Sequence, residues 1–252
     1  MNKSRSRRLK IAAIVLALPA SLGLLVVASN AAKVNSEPGS QAPLSSLAAL
    51  DGQAPARRHL NIQTWQTAEG AKVLFVAAPQ LPMFDLRLTF AAGSSQDAGV
   101  PGLAMLTNAM LNEGIAGKDV GAIAEGFENL GANFGNGAYR DMAVLSLRSL
   151  SAPELREPAL ALFEQVISAP SFPADSLARI KNQLLSGFAQ QKQNPGKLAS
   201  LALFSQLYGQ HPYAHPSEGD AESIPHISRA QLQAFHARAY SASNAVIALV
   251  GD

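Results

Sequence analysis

The spacing of apolar side chains changes period several times along the chain. Lys72 to Ala77 (KVLFVA) is a short β-rich run after Gly70, and Asp85 to Phe90 (DLRLTF) alternates polar and apolar positions, the pattern of a half-buried strand. Leu103 to Leu111 switches to helical spacing and is closed by Asn112 and Gly114; Val120 to Leu130 repeats that pattern before Gly131. Asn133 to Tyr139 and Met142 to Leu150 read as strands around Arg140 and Asp141, the second alternating with period two. Four further helices are predicted over Leu155 to Ile167, Asp175 to Gln191, Lys197 to Tyr208 and Ser228 to Tyr240, separated by turns that contain proline. A β-branched run, Ala245 to Val250, then adds one more strand. Strands grouped early, a block of helices and a returning strand describe an α+β fold, a largely antiparallel sheet with helices packed on one face.

The first residues obey a different logic. Ile11 to Ala28 is an apolar run behind Lys3, Arg5, Arg7, Arg8 and Lys10, so residues 1–32 read as a cleaved signal peptide or a retained membrane anchor. The basic flank stays in the cytoplasm by the positive-inside rule, and the chain beyond Lys33 is expected to be exported. Residues 33–60, rich in Ser, Ala, Pro and Gly, read as a flexible tether, and residues 61–252 as the folded domain. The chain stops at Asp252 directly after a hydrophobic strand, and the expectation is that a longer polypeptide continues into a second domain.

Charge changes meaning once it is located. The whole chain has net charge +2, but the leader supplies five of the basic residues and no acid, so residues 33–252 carry 15 basic and 18 acidic side chains. A mildly acidic domain lacks the clustered basic face that nucleic-acid binding requires. The absence of cysteine excludes disulfides, thiolate metal ligands, a Cys nucleophile and a lipid-bearing Cys.

Little catalytic equipment is visible. The five histidines are His59, His211, His215, His226 and His236, leaving none between Leu60 and Gln210. His211 and His215 are four apart, but Pro212 and Pro216 break the helix that a shared metal would need, so HPYAHP reads as a turn with solvated imidazoles. No Gly-x-Ser-x-Gly elbow, dinucleotide fingerprint or phosphate loop occurs.

Three stretches carry a resemblance: AAGSSQDAGVPGLAMLTNAMLNEG at 91–114, LGANFGNGAYRDMAVLSLRSL at 130–150, and LYGQHPYAHPSEGDAESIPHISRAQLQAFHARAYSASNAVIALVGD at 207–252. In this order the chain from about Gln66 to Asp252 resembles the pitrilysin or insulinase family of zinc peptidases (family M16), which includes the mitochondrial processing peptidases. Active members carry H-x-x-E-H on the helix after the Gly-Leu pair, two His binding zinc and the Glu activating the metal-bound water. Laid on that motif, Met105 stands at the first His, Asn108 at the Glu and Ala109 at the second His, and the family's spacing to its third ligand reaches Ser186. A thioether, an amide, a methyl and a hydroxyl do not make a zinc site. With the metal gone, Met105 and Ala109 are expected on a face packed against the sheet, with Asn108 satisfied by backbone.

The resemblance therefore implies a noncatalytic partner subunit in the bacterial periplasm, anchored to the inner membrane if the leader is retained. It would bind no cofactor itself; zinc is expected in an active M16 subunit that keeps H-x-x-E-H, and the pair would enclose peptide substrates. In the family, substrate adds as a strand to a sheet edge, and the counterpart here would run through Asn133, Phe134 and Gly135, with Gly135 and Gly137 allowing close backbone approach. Two other readings stay open: a stand-alone periplasmic peptide-binding or scaffold protein of the same fold, and an active zinc metalloendopeptidase with unrecognised ligands.

Overall fold

A computed structural model of the chain describes residues 60–252. The expected leader, and the tether apart from Leu60, lie outside them. Among the described residues no helix is long and apolar enough to cross a membrane.

Among the described residues, eight strands and six α-helices run in the order β1 (Gln63–Gln66), β2 (Lys72–Ala77), β3 (Met83–Phe90), α1 (Leu103–Ala109), β4 (Gly114–Ile115), β5 (Lys118–Asp119), α2 (Val120–Glu128), β6 (Asn133–Ala138), β7 (Ala143–Leu150), α3 (Pro153–Ser168), α4 (Ala174–Gln191), α5 (Pro195–Tyr208), α6 (Arg229–Ala239) and β8 (Ala245–Gly251). Six strands form one sheet in the order β1-β2-β8-β3-β7-β6, and β4 pairs with β5 in a separate two-stranded hairpin. Every pairing in the large sheet is antiparallel except β2 with β8, which run parallel, β8 lying between β2 and β3 after a long helical crossover.

The alternation in β3 explains the layering. Phe84, Leu86, Leu88 and Phe90 share one face and stand opposite Ser149, Leu147, Leu145 and Ala143 of β7 and Gly251, Leu249, Ile247 and Ala245 of β8. On this face the core forms, with Leu162, Phe163 and Val166 of α3, Leu232 and Phe235 of α6, and Phe172 all buried. The opposite face is open. It carries the exposed Asp85–Arg148 pair at 2.7 Å, which in water contributes little to stability, beside the exposed Val246 and Val250. Strand β1 and the β4–β5 hairpin are additions to the predicted elements; β1 is exposed at every position and offers no apolar period to read.

One loop needs a glycine for room rather than for its dihedral angles. The segment between β3 and α1 runs against the β6–β7 turn, where Ser94 and Ser95 N–H groups donate to the carbonyls of Tyr139 (2.9 Å) and Arg140 (2.7 Å). A Cβ on Gly93 would lie 2.4 Å from the Arg140 carbonyl oxygen, whereas one on Gly187, inside α4, would meet nothing within 4 Å. Gly93→Ala should therefore destabilise by about 1–3 kcal/mol through overpacking, and Gly187→Ala should stabilise by about 0.5–1 kcal/mol through helix propensity. Chemical denaturation of the two variants should move in opposite directions; equal shifts would contradict this packing.

Candidate functional site

Helix α1 begins without a capping side chain of its own, because its N-cap is Gly102 in the left-handed region at φ 88°. The cap comes from Asp97, whose carboxylate accepts hydrogen bonds from the N–H groups of Gly102 (2.9 Å) and Ala104 (2.7 Å). Asp97 has no exposed surface, and burial raises its pKa to about 6, against the opposing pull of those two N–H groups and of His215, whose Nδ1 lies 3.9 Å away. The same helix start receives the loop around Gly219: a Cβ on Gly102 would lie 2.9 Å from Gly219 Cα. His215 is thus largely covered and faces a buried carboxylate, unlike the solvated imidazole expected of the HPYAHP turn. His211 accepts the Tyr213 N–H at 3.2 Å and caps a short 3-10 turn over Pro212–Ala214.

The three α1 positions aligned with the zinc motif do not behave as predicted from packing alone. Leu103, Ala104, Leu106, Thr107 and Asn108 are buried, while Met105 and Ala109, one turn apart, are the two half-buried positions of the helix. They lie at the edge of the core instead of on its packed face, because the buried stripe of so short a helix runs through 103, 104, 106, 107 and 108. Asn108 is satisfied by a side chain, not by backbone: its amide donates to the Tyr240 hydroxyl at 3.2 Å. The Tyr240 ring is partly buried against the core, and desolvation pushes its phenol well above the usual tyrosine range. It packs against Phe90, centroids 5.0 Å apart, and stacks on His236 at 5.2 Å. His236 in turn donates from Nε2 to the Ile167 carbonyl at 2.7 Å, and its burial pushes the imidazole pKa down.

Ser186 stands on a different element. It is exposed on α4, and its hydroxyl donates to the Asn182 carbonyl of the same helix at 2.9 Å. A salt bridge between Arg179 and Glu113 links α4 to the segment after α1, but no hydrogen bond joins Ser186 to α1 among the described residues. Nor do three or more His, Asp or Glu side chains converge as a metal site among those residues. The side chains at Met105, Asn108, Ala109 and Ser186 do not fit a catalytic zinc, whose sites use three imidazole, carboxylate or thiolate ligands plus water.

Strand β6 closes one edge of the sheet. Phe134 points into the core, stacked on Phe127 with centroids 5.2 Å apart, while Asn133 and Gly135 lie on the open face opposite Arg148 and Ser146. The Tyr139 N–H donates to the Met142 carbonyl at 2.7 Å, and the alternation that starts there turns the main-chain groups of Phe134, Asn136 and Ala138 away from β7. Gly135 has a reason within the sheet, since a Cβ there would lie 3.0 Å from Ser146 Oγ; Gly137 is less constrained. The strand is tied to α1 by Asn136, whose amide donates to the Asn108 carbonyl at 2.7 Å and reaches Asn112 Oδ1 at 3.4 Å. Asp97, Asn136 and Tyr240 carry no sequence signal that marks these roles; a buried Asp five residues before a left-handed Gly is the nearest to one.

The Asp97 carboxyl gives the domain a pH dependence of defined sign. The native state holds this proton more tightly than the unfolded chain does, so the group adds stability as pH falls through about 6 and withdraws it as pH rises. His236 works the other way, losing stability as pH falls. Asp97→Asn should remove the first effect: in urea denaturation the gap between wild type and variant should widen by about 1–2 kcal/mol from pH 7.5 to pH 5. A gap that is constant or narrows would refute it.

Comparison with known proteins agrees with this geometry. The model of the insulinase family (peptidase family M16) matches residues 72–221, more than half of the chain. A "non-peptidase homolog", YmxG, of Helicobacter pylori is 29% identical over 175 residues, 68% of this chain and 40% of that protein. An uncharacterized zinc protease of Mycobacterium tuberculosis is 30% identical over 94 residues, 37% of this chain and 22% of that one. The crystal structure of a "peptidase M16 inactive domain" from Pseudomonas fluorescens superposes with a TM-score of 0.76 at 76% identity, over 77% of this chain and 47% of that one. A putative M16-like peptidase from Alicyclobacillus acidocaldarius shares the fold at 17% identity, TM-score 0.66, over 77% of this chain and 47% of that one. The chain thus spans less than half the length of these relatives. Given the family match over residues 72–221, most of its folded part, this chain belongs to the insulinase family of peptidases, M16.

Proposed function

We propose that the chain is the noncatalytic subunit of a two-subunit M16 peptidase in the periplasm, exported by its N-terminal leader. The partner supplies H-x-x-E-H and the zinc; this chain supplies part of the wall that encloses peptide. The observation that carries the reading is the pairing of a spoiled catalytic helix with an intact peptide edge. On α1 the positions of the two His are Met105 and Ala109, while β6 beside it keeps its main-chain groups at Phe134, Asn136 and Ala138 turned outward and is pinned to α1 through Asn136. An edge of this kind recognises extended peptide by backbone pairing and tolerates many sequences.

The purified chain alone should hold far less than one zinc per molecule and cleave nothing. Co-expressed with a subunit that carries H-x-x-E-H, it should purify as a complex with chelator-sensitive peptidase activity, about one zinc per pair, abolished by replacing the partner's Glu with Gln. Stoichiometric zinc and cleavage by this chain alone would favour the reading with unrecognised ligands; peptide binding without any such partner would favour a stand-alone scaffold.

The edge itself is tested separately. Ala138→Pro removes one outward N–H while leaving the β7 ladder untouched, and should weaken capture of an extended peptide by about tenfold. Unchanged affinity in a variant with an unchanged thermal midpoint would exclude β6 as the docking edge.

A further inference from the structure

Just past the C-terminal end of β6, Arg140 occupies a small cavity that none of the preceding chemistry uses. Its guanidinium carbon lies 4.3 Å from the centroid of the Phe204 ring on α5 and 5.5 Å from that of Tyr213. Its Nη1 donates to the Tyr213 carbonyl at 2.9 Å and, at longer range, to the His215 carbonyl at 3.4 Å. Stacking and carbonyl contacts together fix the plane of the group. Among the described residues neither Nε nor Nη2 has a hydrogen-bond acceptor.

The cavity is about 160 Å³, lined by Arg140, Lys197, Ser200, Phe204, His215 and Glu218 among others. Glu218 is already engaged: one of its carboxylate oxygens lies 3.5 Å from Lys197 Nζ and 3.5 Å from Gln191 Nε2. Among the lining side chains, two cations against one carboxylate leave a single positive charge beside an aromatic wall. A planar guanidinium edge with two free N–H donors matches a carboxylate in two parallel bonds, and one net charge suits a monoanion better than a phosphate dianion facing Glu218. The volume admits the carboxylate and a few further heavy atoms.

We infer that this cavity, between the β6–β7 turn, α5 and the loop around His215, binds the carboxylate of a small organic acid or of a peptide C-terminus. The assignment is independent of the β6 edge and of any partner subunit. Titration calorimetry of the purified chain with N-acetyl-Ala-Ala-Ala, its C-terminal amide and sodium acetate tests it. The free-acid tripeptide should bind with saturation at millimolar or lower concentration and the amide about tenfold or more weakly. A tripeptide that outbinds acetate identifies a peptide C-terminus as the ligand, and equal binding identifies a free acid. Arg140→Gln should abolish the preference for the acid. Because Arg140 also clamps α5, Ser200→Trp, which fills the cavity from an exposed helix position, should abolish binding with the thermal midpoint unchanged. Acid and amide that bind alike, no saturable binding of either, or full binding by Ser200→Trp would each overturn the assignment.

Discussion

A helix of seven residues cannot hold itself together, and α1 depends on the carboxylate of Asp97 for its first turn. Fully buried, that carboxylate replaces the water that would otherwise satisfy the N–H groups of Gly102 and Ala104. Much of the surrounding loop is arranged around this contact. Gly102 gives up its side chain so that the Gly219 loop can seat on the helix start, and the same loop brings His215 to the carboxylate. The polar contact that orients the site helix is therefore set by residues outside the helix.

From that anchored start, α1 delivers its residues to fixed places. Asn108 meets Tyr240 and, through its main chain, Asn136 of β6; Tyr240 packs on Phe90 of β3 and on His236 of α6. Here the far end of the helix is held by ordinary packing and neutral polar side chains, and the hydrogen bonds within this cluster place no isolated charge in the core.

Much of this was legible in the sequence, and the parts that were not share a cause. Strands β3 and β7 announce themselves through period, because their burial is one-sided; β2, β6 and β8 show as short runs beside turn residues, and the six helices as stretches bounded by Gly, Asn and Pro. Strand β1 (QTWQ) has no buried face and so no period, and the four residues of β4 and β5 are too few to show one. The parallel pairing of β2 with β8 is a matter of topology that no local pattern encodes. At the site, the residue types of Met105, Asn108, Ala109 and Ser186 were plain, since chemistry that is missing can be read directly. Exposure was not: the apolar character of Met105 and Ala109 suggested a packed face, whereas helix geometry leaves them half open. Asp97 and Arg140 gain their importance from burial and from partners more than 70 residues away in the case of Arg140, neither of which a linear pattern displays.

The bond between Asn136 and residue 108 has an evolutionary consequence. The acceptor is a backbone carbonyl, which is present whatever side chain the gene encodes at that position. The tether between helix and edge strand is thus insulated from side-chain mutation at position 108. Any side chain can stand at position 108 without costing the edge strand this bond, so the surface of the helix and the strand beside it are free to change at different times.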